Sequence, residues 1–231
     1  MKKTIVAGLV GIAGLCCFGE EVAYTTEAIG SLSVTGGDAK IIALVFSEIG
    51  SAGGDVSVSH VINTATLPTN AKIAAYQGGS FKSWTWTGSG WEAATTAKLD
   101  ENGGQSNDTS GNSADVLLPV GSAIWLYNTT STDTVKFLGQ YAQGETVTQT
   151  LSSGKNLVGN PLLEAKTPTV VNPSDLDQIQ IPDGKLYTSY AYKGGKWFCS
   201  KTGKLSVDPP VIGPGIGFWY MAKGGGTTIE W

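Results

Sequence analysis

The apolar positions of this chain fall into short runs, most of them with a period of two. Ile29-Gly-Ser-Leu32-Ser-Val34-Thr alternates apolar and polar residues and predicts a first strand. Ile41-Ile-Ala-Leu-Val-Phe46 is continuous, as expected of a strand buried on both faces. A glycine-rich turn follows at 50–54, and Val56, Val58 and Val61 resume the alternation, with His60 among them on a strand. Thr134-Val-Lys-Phe-Leu138 and Thr227-Thr-Ile-Glu-Trp231 read as later strands. No segment sustains a helical period for more than a few turns. The pattern predicts an all-β fold.

One stretch occurs twice. Phe81-Lys-Ser-Trp84-Thr-Trp86-Thr-Gly-Ser-Gly-Trp91 reappears as Tyr187-Thr-Ser-Tyr190-Ala-Tyr192-Lys-Gly-Gly-Lys-Trp197. Both carry a period-two aromatic run, a glycine turn and a tryptophan opening the return strand, which is the pattern of a β-hairpin. Each is followed by a second matched block, Gly121-Ser-Ala-Ile-Trp125-Leu-Tyr127 and Gly215-Ile-Gly-Phe-Trp219-Tyr-Met221. Further upstream, Lys155-Asn-Leu-Val lies where Lys40-Ile-Ile-Ala lies, and Ile179-Gln-Ile181-Pro182 answers Leu67-Pro68. Trp91 to Gly121 spans 30 positions and Trp197 to Gly215 spans 18, a difference of 12. The surplus matches the polar segment 100–113, which has no apolar residue and reads as a surface loop inserted into the first copy. The organisation is therefore two tandem homologous β-sandwich or barrel-like modules, 20–150 and 151–231. The second is small for independent stability, so the copies are expected to pack together, with strands shared across a pseudo-two-fold.

The N-terminus stands outside this pattern. Met1-Lys2-Lys3 precedes an apolar run to Phe18 that is too short to span a bilayer comfortably, and Cys17 and Gly19 put small residues at the −3 and −1 positions of a cleavage point after Gly19. Residues 1–19 are expected to be a signal peptide, leaving no membrane span in an extracellular, periplasmic or surface-located protein. Neither Cys16 nor Cys17 follows a lipobox, so lipid anchoring is the lesser reading. Cys199 is then the one remaining thiol and reads as a small buried residue. The net charge is −4, all 15 basic residues are lysine, and the absence of arginine argues against nucleic acid and anionic membranes as partners.

Few residues suggest chemistry. The only histidine, His60, has no Gly-x-Ser-x-Gly elbow to serve, and zinc-type sites lack ligands. Asp175 and Asp177 would share a side if extended, as a glycosidase pair must, but Asn172-Pro-Ser-Asp-Leu-Asp reads as a turn in which acids cap amides. Asp100, Asn102 and Asp108 place oxygen ligands as a calcium loop does, without the terminal glutamate; calcium is the one cofactor to weigh. The aromatic pairs matter most. Trp84 and Trp86 share a strand face, as do Tyr190 and Tyr192. Exposed, each pair would form a platform for sugar rings; buried, it is hairpin and core packing, which one rule shared by both copies favours.

Leu151-Ser-Ser-Gly-Lys-Asn-Leu-Val-Gly-Asn-Pro161, the tyrosine pair with Trp197, and Gly213-Pro-Gly-Ile-Gly-Phe-Trp219 together resemble a "GWNLVGNP … W … GxGFW" module of secreted bacterial proteins. The two-copy arrangement is similar to a verrucomicrobial-type family of exported β proteins. Copy one departs from the pattern, with Phe46 where Pro161 would align. The resemblance implies architecture and export but no activity, since its motifs pack rather than react. The expected function is a non-enzymatic secreted structural, surface or adhesion protein, with envelope or extracellular proteins as partners. The alternative is a polysaccharide-binding module, and a hydrolase comes third.

Overall fold

The computed structural model describes residues 28–37, 39–46, 55–77, 79–93, 97–99, 105–107, 117–127, 129–141 and 146–231. The chain is all-β, as short β-favouring runs broken by glycine dictate, and among the described residues every strand pairing is antiparallel. One larger sheet has the order Lys40–Ala43, Ala123–Tyr127, Lys72–Gln77, Ser80–Trp86, Trp91–Ala93. The other has the order Gly154–Gly159, Gly217–Ala222, Gln178–Asp183, Leu186–Lys193, Lys196–Cys199, and adds Leu205–Ser206 at its far edge. Position by position, the first five strands of the two sheets follow the same path through the sequence. The smaller sheets follow suit: Ala28–Thr35 pairs with Thr134–Tyr141, and Thr148–Thr150 pairs with Thr228–Glu230. This second pairing begins before residue 151, ahead of the expected start of the second copy.

Strand register refines the sequence alignment. Ile41 lies opposite Trp125 and Leu157 opposite Trp219, so Lys40 corresponds to Asn156 and Val45 to Pro161, one residue from the expected match of Lys40 with Lys155 and Phe46 with Pro161. Likewise Ile73 lies opposite Trp84 and Ile179 opposite Tyr190, which makes Tyr76, not Pro68, the counterpart of Pro182. Matching lysines and prolines misled the alignment because a solvent-facing lysine and a strand-end proline carry no register; the buried tryptophan strand does.

Two other expectations change. Val58–Val61 forms one turn of helix rather than a strand, and His60 is exposed on it. Val58, Val61 and Ile62 are all buried, and one helical turn brings these positions to one face, whereas a strand would point Val58 and Val61 to opposite faces. In the polar segment, Gln105–Asn107 pairs with Ala97–Leu99, so part of it is a hairpin and not simply loop.

Each half has its own core. Phe46, Phe137, Ile124 and Leu126 anchor the first, and Tyr220, Phe218, Ile179, Ile212 and Ile229 the second, all of them under 2 % exposed. Each such side chain contributes about 1.5–3 kcal/mol by leaving water. A third cluster, Ile41, Ala123 and Leu157, joins the halves, with Tyr76, Trp125 and Trp219 packed around it.

The joint is reciprocal. The Ala43 amide donates to the Gly215 carbonyl at 3.0 Å, and its counterpart, the Gly159 amide, donates to the Gly121 carbonyl at 2.8 Å. Ile42 bridges to Ile216 as Val158 bridges to Ser122. Gly121 and Gly215 both have positive φ, +84° and +67°, and each lies under a side chain from the other half, Gln149 and Leu32 respectively. Glycine is required at both places, by conformation and by space.

Candidate functional site

In the Ser80–Trp86 hairpin, Trp84 lies opposite Ala93 and Trp86 opposite Trp91. The turn is closed by Thr87, whose hydroxyl donates to the Gly90 carbonyl at 2.9 Å and accepts from the Gly90 amide at 3.1 Å. Trp84 is buried, 7 % exposed, inside the first core. Trp86 is half-buried against the same core, its ring 5.5 Å from that of Trp91. The second hairpin repeats the geometry: Tyr190 faces Cys199, and Tyr192 faces Trp197 with ring centroids 5.2 Å apart. Tyr190 and Tyr192 are half-buried against the second core. Burial pushes the Tyr190 phenol up from its ordinary value, and the neighbouring Cys199 adds to this. Cys199 itself is a buried free thiol, held below the usual range chiefly by its hydrogen bond with the Thr202 side chain.

The two aspartates are fixed by amides rather than aimed at a common groove. Asp177 is fully buried and accepts from the Tyr220 hydroxyl at 2.8 Å, the Lys223 amide at 2.7 Å and the Ser174 amide at 3.0 Å. Burial, and then the bond to Asp177, push the Tyr220 phenol far above its ordinary value. Asp175 accepts from the Gly194 amide at 3.0 Å. Both carboxylates tie the 172–177 turn to neighbouring strands, as its sequence suggests. Among the described residues no group of three or more His, Cys, Asp or Glu could hold a metal ion. The candidate calcium residues Asp100, Asn102 and Asp108 lie outside the described residues.

Two concavities among the described residues bear on function. One, of about 520 Å³, is lined by Tyr192 and Trp197 together with Thr167, Thr169, Val207 and Asp208. The other, of about 280 Å³, lies at the joint between the halves, where Ile41 and Trp125 meet Pro182, Lys185, Leu186 and Tyr187. Of the sequence-predicted residues, only Tyr192 lines either of them. Trp125 and Tyr187 stand out in the sequence only as members of the repeat, and Asp208 not at all, because each concavity is assembled from segments far apart in the chain and no local spacing marks it. No family model, curated protein or solved structure matches the chain.

Proposed function

We propose that this chain is an exported, non-enzymatic structural or surface protein in which two homologous β modules are locked face to face. The observation that supports this best is where the repeated aromatic residues spend their area. Trp84 is in the core, Trp86 is covered by Trp91, and Tyr192 by Trp197. Side chains used in this way stiffen a scaffold and leave little flat surface for a ligand. The reciprocal contacts between the halves work in the same direction, making one rigid unit from two small ones. A structural role in the envelope or outside the cell, with other extracellular proteins as partners, asks for that rigidity and for no reacting groups.

The test is truncation of Trp84 and Trp86 to alanine. Trp84→Ala should cost about 3–5 kcal/mol, as for a buried aromatic, and Trp86→Ala less. Tryptophan emission of the parent should be indifferent to added polysaccharide. A double variant that keeps its melting temperature while losing polysaccharide binding would refute the proposal. The second reading, a carbohydrate-binding module, draws on one observation: Tyr192 lines the larger concavity beside Asp208 and two threonines, a mixture of ring face and hydrogen-bonding groups suited to a sugar. A glycan array on the mature protein, with Tyr192→Ala as control, separates the two.

A further inference from the structure

The reciprocal joint makes one break in symmetry stand out. Trp219 of the second half lies against the hairpin of the first, its ring 5.2 Å from Tyr76 and 5.9 Å from Phe81, with Tyr76 and Phe81 themselves 5.1 Å apart. Three rings fill that side. On the other side, Trp125 faces the hairpin of the second half, and the strand register assigns the counterparts. Tyr187 stands for Phe81, and Pro182 stands for Tyr76. One ring of the three is missing, and a cavity of about 280 Å³ is found there, walled by Ile41, Trp125, Pro182, Leu186 and Tyr187. For comparison, an apolar cavity of about 150 Å³ holds a benzene molecule.

The same hairpin differs in charge. By that register, Lys185 stands where the first half has Gly79. Lys185 lines the cavity, is exposed, and forms no ion pair with any described residue. The nearest acid in sequence, Asp183, is paired with Lys201 instead. The second half has thus lost a ring and gained, at one place, a cation that pairs with no described residue. The remaining walls are mostly apolar side chains, with the Trp125 indole nitrogen and the Tyr187 hydroxyl as their few polar side-chain groups, fewer than a sugar's hydroxyls need to replace their hydration.

We propose that this cavity binds a small aromatic carboxylate. Its ring takes the place that Tyr76 fills on the opposite side, between Trp125 and Tyr187, and its carboxylate meets the Lys185 ammonium. The site is independent of the sugar-suited concavity and goes beyond the structural role proposed above.

Benzoate is the probe. Titrated into the full-length mature protein and followed by NMR, it should bind saturably with a dissociation constant of about 1 mM or tighter, as its size allows. Intermolecular Overhauser contacts should join the benzoate ring to the Trp125 and Tyr187 side chains. Pro182→Tyr, which restores the missing ring, should weaken benzoate by roughly tenfold or more. Lys185→Gln should weaken it by about three- to fivefold and remove its advantage over benzyl alcohol. The proposal is overturned if binding does not saturate, or if benzyl alcohol binds the parent as well as benzoate does. Ring contacts to residues elsewhere would also overturn it, and this measurement on the parent needs no variant to fold.

Discussion

Gly159 tests whether the joint between the halves carries stability. A Cβ built there would lie 2.3 Å from the Ala43 Cβ and 2.8 Å from the Ile216 carbonyl oxygen. Carbon atoms in contact sit about 3.5–4.0 Å apart, so more than an ångström must be found. None of the atoms in the way can swing aside. A methyl group has no torsion to use, and the Ala43 amide is held by its hydrogen bond to the Gly215 carbonyl at 3.0 Å, as the Gly159 amide is by its hydrogen bond to the Gly121 carbonyl at 2.8 Å. Overpacking of this kind costs about 1–3 kcal/mol. The lower chain entropy of alanine in the unfolded state returns about 0.4–1 kcal/mol. Gly159→Ala should therefore lose about 1–2 kcal/mol, which in a chain of this size lowers the melting temperature by about 2–8 °C. The control is Gly90→Ala, where a Cβ meets nothing within 4 Å and the backbone is not left-handed. It should melt at or slightly above the parent in scanning calorimetry. Gly217→Ala, at the residue opposite Gly159 on the neighbouring strand, should behave like Gly159→Ala, since its Cβ would lie 2.4 Å from Ile41 Cγ2 and 2.6 Å from the Ala123 Cβ. If Gly159→Ala and Gly217→Ala melt with Gly90→Ala, the two halves are not locked as described.

Asp177→Ala should be among the most damaging single changes, at about 3 kcal/mol or more, because it leaves the buried Tyr220 hydroxyl and the Lys223 and Ser174 amides without their acceptor. Urea unfolding of this variant beside Tyr220→Phe, which should lose less, checks the order. Asp183 is held below the usual carboxylate range, first by its hydrogen bond with Lys201 and then by Thr188. A depressed folded value means that its contribution is complete above the unfolded value of about 3.9 and is lost as pH falls through the lower folded one. The melting difference between the parent and Asp183→Asn should thus be constant from pH 5 to 8 and shrink in more acid solution; a difference that changes between pH 5 and 8 would contradict this assignment.

Strand type was legible because alternation and glycine punctuation are local. The hairpins at 81–91 and 187–197 announce themselves through aromatic period and turn glycines, and both form with Trp86 opposite Trp91 and Tyr192 opposite Trp197. Val58–Val61 was misread because Val56 and Val58 alternate as in a strand, while the helical spacing of Val58, Val61 and Ile62 covers a single turn, too short to stand out. The register between copies failed where it leaned on Lys40 and Pro68, residues whose identity no neighbour enforces. The concavity at the joint was out of reach for a different reason. It is created by what is absent at Pro182, and a missing ring becomes visible only once Tyr76 has been shown to fill its counterpart.

In each half, the opening strand is stitched to the closing one: Ala28–Thr35 to Thr134–Tyr141, and Thr148–Thr150 to Thr228–Glu230. A chain emerging from a ribosome or a translocon can therefore shut its first half while the second is still being delivered. During that interval the Lys40–Ala43 edge waits for Gly215 and Ile216, which lie more than a hundred residues downstream. Because the waiting edge is satisfied by a segment so distant in the chain, it also fits the same segment of another molecule. Slow delivery, or a break between the halves, turns an intramolecular clasp into a domain-swapped one, so oligomers formed at high expression should dissociate into monomers on dilute refolding.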